Sequence, residues 1–139
     1  MAVVSLPNTV LPGADAVLRQ GTAGVVIAAG EAVFLDATDN RYKLADADAS
    51  AASAAAVGIA INSAQIGQPV YVVTEGTITG ASGLATGQTY VLANVAGDIA
   101  TALSDLTEDT SRVTFMGIGL STTSLRVRVL ASGVVLNLV

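Results

Sequence analysis

Four aspartates fall close together in this chain: Asp36, Asp39, Asp46 and Asp48. Clustered carboxylates are the usual ligands of a hard cation such as calcium. The string that starts at Asp46 fails the helix–loop–helix calcium template, however. Its sixth position is Ala51 where glycine is needed, and its twelfth is Val57 where a bidentate glutamate is needed. Turn-forming and helix-capping carboxylates account for these residues more simply. The glycine strings, Gly76-Thr-Ile-Thr-Gly80-Ala-Ser-Gly83 and Gly117-Ile-Gly119, match neither a dinucleotide fingerprint nor a phosphate-binding loop. Lys43 is the only lysine, and no Ser-x-x-Lys occurs to activate a serine. With no histidine and no cysteine, the commonest general base and the thiolate nucleophile are both missing. Paired acids for glycoside hydrolysis would have few aromatic platforms to hold a sugar, and there is no tryptophan. The expectation is a non-enzyme with no catalytic residues, no metal and no cofactor.

Charge narrows the partners. Eleven acidic against six basic residues give a net charge of −5, which repels a phosphate backbone. Nucleic acid is therefore not an expected partner. No apolar run reaches bilayer-spanning length, and no basic stretch precedes an apolar run at the amino end, so neither a membrane nor a secretory signal is expected. The chain is 52% hydrophobic, mostly Ala, Val, Ile and Leu, with only 12% charged residues to cover its surface. Such a chain is expected to hide apolar surface against copies of itself.

The elements that would position these residues read as β, and they recur. Gly30-Glu-Ala-Val-Phe-Leu35 leads through Val57-Gly-Ile-Ala-Ile61 to Val70-Tyr-Val-Val-Thr-Glu-Gly76. Gly87-Gln-Thr-Tyr-Val-Leu92 leads through Met116-Gly-Ile-Gly-Leu120 to Leu125-Arg-Val-Arg-Val-Leu-Ala-Ser-Gly133. The copies lie roughly 57 residues apart, somewhat more in the middle, which suggests a duplicated unit with halves at 30–76 and 87–133. The cluster Asp36-Ala-Thr-Asp-Asn40 marks a turn, and glycines inside strands mark bulges or close backbone approaches. Leu125, Val127 and Val129 alternate with Arg126 and Arg128, so the arginines share one strand face. That face suits solvent, or an ion pair to Asp105 or Glu108 of another subunit. Residues 46–56 suit a short helix capped by Asp46 or Asp48, or a flexible surface loop, and residues 104–109 suit one helical turn. The fold expected is mainly β: a compact antiparallel β-sandwich or small barrel of two similar β-units, with at most one or two short helices.

Residues 1–21 stand apart from the single β domain expected over 22–139. Pro7 and Pro12 favour extended backbone, and Val3, Val4, Leu6, Val10 and Leu11 are apolar. They suit an extended arm that adds a strand to a neighbour's sheet, a first edge strand on its own domain, or a disordered terminus. At the other end, Val134, Val135, Leu136 and Leu138 form an apolar tail expected to be buried at a subunit contact.

The runs Gly30 to Ser50, Ala56 to Ser63 and Gly67 to Gly76 resemble the small capsid decoration, or cement, proteins and head-fibre proteins of tailed bacteriophages. The resemblance spans about Gly21 to Gly133. It implies a structural virion protein on the outer capsid surface, made in the host cytoplasm: a homotrimer bridging subunits of the major capsid protein. It also implies that an arm such as Val3, Val4, Leu6, Pro7, Val10 and Leu11 engages the capsid. The alternative is a head-fibre or attachment module that binds a host-surface glycan.

Overall fold

A computed structural model describes residues 3–47, 49–101 and 112–135. The chain is mainly β, as the sequence reading expects, and its strands form one antiparallel sheet that is not closed into the small barrel that reading also allowed. Its strands are β1 (Val3–Val4), β2 (Leu11–Pro12), β3 (Val17–Thr22), β4 (Ala32–Asp36), β5 (Arg41–Leu44), β6 (Gly58–Ala60), β7 (Pro69–Thr79), β8 (Thr89–Leu92), β9 (Ile99–Ala100), β10 (Arg112–Gly119) and β11 (Leu125–Val135). Pro69 takes the first position of β7, where its missing N–H costs no ladder bond.

The long strand β7 organises everything else. Val73 pairs with both Leu18 and Ile59, Glu75 with both Val17 and Arg128, and Ile78 with both Pro12 and Leu125. A strand residue with two partners holds one on each edge. One edge of β7 therefore carries β2 and β3. The opposite edge carries β6 along its first half and β11 along its second.

Two units of the same topology share this strand. The first runs β3-β7-β6-β4-β5, and the second runs β7-β11-β10-β8-β9. Their registers agree residue by residue. Val33 faces Gly58 and Ala32 faces Ile59 in the first unit; Tyr90 faces Gly117 and Thr89 faces Ile118 in the second. Leu35 pairs with Tyr42, and Leu92 with Ile99. The turns match too, because Asn40 (φ 58°) and Gly97 (φ 83°) take the left-handed conformation at the same place. The repeat differs from its sequence outline in two respects. It begins earlier, since β3 and the second half of β7 are equivalent first strands. At its end Val72 and Val73 correspond to Leu125 and Arg126, so Gly76 and Gly133 are not equivalent.

The first unit has an interior of its own, and a second core is shared between the units. Ala23, Ile27, Val33, Tyr42, Ala60, Val70 and Val72 pack inside the first. Its outer strands curl until Ala23 and Tyr42 meet in a parallel bridge, with the Gly24 N–H donating to the Tyr42 carbonyl at 2.8 Å. Its opposite face, at Ala32, Phe34, Ile59 and Val73, joins a larger core with Tyr90, Leu92, Ile99, Met116, Leu125 and Val127 of the second unit.

The amino-terminal segment is extended but is not a free arm. β1 pairs with the outer edge of β9, β2 pairs with β7, and the Thr9 hydroxyl donates to the Gly80 carbonyl at 2.6 Å. Residues 3–12 thus lace together the two outer strands of the second unit. Val4, Leu6 and Val10 are buried, with Val10 only 1% exposed. The physical reason is the open seam between β9 and β7, whose edges and apolar lining are satisfied within the chain. The edge-strand alternative for these residues is therefore the one realised.

The only helix among the described residues is α1 (Ala51–Ala54), capped by Ser50 rather than by Asp46. Ser50 accepts from the Ser53 N–H while Ser53 reaches back to the Ser50 N–H, a reciprocal capping box. The alanine run does not extend it further. Asp48 and the proposed helical turn at 104–109 lie outside the described residues.

Candidate interaction surface

The duplicated unit presents one face twice, and the two presentations differ in what covers them. In the first unit Ala32, Ile59 and Val73 are fully buried. The turn after β8 and the start of β10 lie on that side. The Ala32 N–H donates to the Gly97 carbonyl at 2.8 Å, the Gly97 N–H to Ala45 at 2.8 Å, the Ala47 N–H to Ala93 at 3.0 Å, and the Arg112 N–H to Ala47 at 2.8 Å. The buried Thr114 hydroxyl donates to the Ala54 carbonyl at 2.6 Å.

In the second unit the equivalent positions are Thr89, Ile118 and Arg126, all exposed. With Phe115, Arg128 and Leu130 they line a groove of about 480 Å³. Strand alternation explains it: Leu125 and Val127 turn inward at 0% exposure, so Arg126 and Arg128 stand on the outer face as the sequence pattern requires. A register shift between Phe115 and Gly117 lets both Phe115 and Ile118 reach this side. Arg126 is held loosely. Its Nη1 lies 3.9 Å from Asp15, whose carboxylate accepts the Thr77 N–H at 2.9 Å and the Thr77 hydroxyl at 3.2 Å. The Thr77 backbone bond, above all, lowers the Asp15 pKa. Asp105 and Glu108, the acids considered as partners for Arg126, lie outside the described residues.

A second exposed apolar strip follows the amino-terminal strands. Leu11, Val17 and Leu18 are 61%, 45% and 45% exposed. They lie on β2 and β3, whose outer edge, up to the Ala23–Tyr42 bridge, has no strand partner among the described residues. Of the residues assigned to a capsid-binding arm, Val3 and Leu11 remain exposed, Pro7 is half-buried, and Val4, Leu6 and Val10 face inward. Val134 and Val135 continue β11 as backbone, whereas Leu136 and Leu138 lie outside the described residues.

The aspartate cluster resolves into a turn. The Lys43 ammonium bridges Asp36 at 2.7 Å and Asp39 at 3.1 Å, while Thr38 donates to Asp36 through its N–H and hydroxyl. The Lys43 bond, followed by the Thr38 bonds, holds the Asp36 pKa down to about 2. Asp98 departs the other way, because burial raises its pKa against an opposing hydrogen bond from Ser5. Among the described residues no three acidic side chains converge to hold a metal, and no helix is long and apolar enough to cross a membrane. The groove and the strip offer apolar contact, backbone edges and two guanidinium groups.

Compared with known proteins, the chain matches no protein-family model and no curated protein at a significant level.

Proposed function

We propose that this chain is a structural virion protein that sits on the outside of a tailed-phage capsid, as a homotrimer, and bridges subunits of the major capsid protein. The observation that supports this most is the apolar strip of Leu11, Val17 and Leu18 along an unpartnered strand edge. Such an edge recruits an extended segment of another protein through main-chain hydrogen bonds, with side chains giving selectivity. In this reading the docked amino-terminal segment shapes the receiving edge, and a strand of the capsid protein adds to it. Three such edges on one trimer engage neighbouring capsomers together, and avidity makes weak single contacts strong. No reaction is involved.

The test is binding to capsids that lack this protein, imaged by electron microscopy. The expected result is density on the outer shell at three-fold positions, lost in a Leu18→Asp variant that keeps its fold. Capsids left bare by the wild-type protein would overturn the reading. So would wild-type protein that binds host cells through a glycan and never appears on the shell, the outcome expected of an attachment module.

A further inference from the structure

The duplication leaves two half-interfaces exposed, one in each unit. The outer face of the first unit is sealed by the second unit, which approaches with its β8–β9 turn and carries Leu92 at 0% exposure. The outer face of the second unit, at Thr89, Ile118 and Arg126, is open. Conversely, the equivalent of the approaching turn is the β4–β5 turn of the first unit. All of residues 37–40 are exposed there, and Leu35, the counterpart of Leu92, is 43% exposed.

We propose that a second copy of this chain docks its β4–β5 turn into the open groove of the second unit, repeating between molecules the contact that joins the units within one. The groove carries Arg126 and Arg128, and in the entering hairpin Asp36 and Asp39 are balanced by Arg41 and Lys43, so the fit rests on the repeated backbone shape rather than on net charge. Ile118 and Leu35 supply apolar contact at the two sides. Such an interface is head-to-tail: each copy uses a different surface to give and to receive. It therefore propagates until it closes, and a ring of three is the closure that the trimer reading requires. The inference names the contact behind that oligomer and stands apart from capsid binding.

The experiment measures the mass of the purified full chain by sedimentation and light scattering over a concentration series. Variants Ile118→Asp and Leu35→Asp are both surface changes, and circular dichroism and thermal unfolding confirm that each is folded. The wild type is expected to form a closed oligomer, and each variant alone a monomer. An equimolar mixture of the two variants is expected to form a one-to-one dimer that grows no further, because each supplies the surface the other has lost. A monomeric wild type would overturn the proposal. So would variants that assemble as the wild type does, or a mixture that stays monomeric. Because no capsid is present, failure here is separate from failure of the capsid reading.

Discussion

Ile59 and Ile118 occupy the same place in two copies of one fold unit, each beside a strand glycine and each facing the first hairpin strand, yet Ile59 is fully buried and Ile118 is 49% exposed. Equivalent backbone has therefore been given unequal surroundings. The neighbours changed accordingly: Ala32 and Val73 around the first became Thr89 and Arg126 around the second.

The glycines preceding these isoleucines are expected to be intolerant. A methyl group at Gly58 would overlap the Val73 carbonyl oxygen, and one at Gly117 the Arg126 carbonyl oxygen. Gly58→Ala should cost about 2 kcal/mol or more in urea unfolding. Gly87, at φ 77° with open space around it, bears only the conformational penalty. Gly87→Ala should cost about 1 kcal/mol.

The amino-terminal lace should separate stability from exposure within adjacent residues. Val10→Ala, at a site 1% exposed, is expected to lose about 2 kcal/mol, whereas Leu11→Ala, 61% exposed, should change stability by less than about 0.5 kcal/mol. Deleting residues 1–12 would open the seam between β9 and β7. The truncated chain is expected to melt at a lower temperature by calorimetry, so loss of capsid binding by such a truncation would not by itself identify a binding arm.

The buried Thr114 hydroxyl ties β10 to the end of α1. Thr114→Val keeps the shape but strands the Ala54 carbonyl. An unfolding loss of about 1 to 2 kcal/mol is expected.

Two aspartates should give opposite pH signatures. Asp36 is held near 2 in the fold, below its ordinary 3.8, chiefly by Lys43. Its contribution to stability is present above about pH 4 and disappears as pH falls toward 2. Lys43→Met should raise the Asp36 titration midpoint, read by carboxyl NMR. Asp98 is raised above 3.8 by burial. Its contribution is fullest below 3.8 and is lost as pH rises through the raised value. Asp98→Asn should therefore flatten the pH dependence above 3.8, and a stability profile unchanged by the substitution would refute the assignment.

Several features were legible in the sequence because they are local. The period of Leu125 to Val129 placed its arginines on one face. The Asp36–Asn40 cluster marked a turn, and Gly58 and Gly117 marked close backbone approaches. What stayed hidden depends on distant partners. Two prolines made residues 3–12 look like an arm, and nothing nearby in sequence reveals that β9 and β7 hold open edges for them. The alanines at 51–56 favour helix, but Ser50 is the residue whose side chain meets the first free N–H groups. The double service of β7 stayed hidden because Gly76 reads as the end of the first unit, whereas the strand continues through it to Thr79.

That shared strand has a consequence for how the molecule can be divided. Beads on a string can be cut apart and each still holds its shape. Here any cut that frees one half takes away a staple strand of the other, so neither fragment should survive alone, and damage anywhere in Val70 to Thr79 should be felt at both ends of the molecule at once.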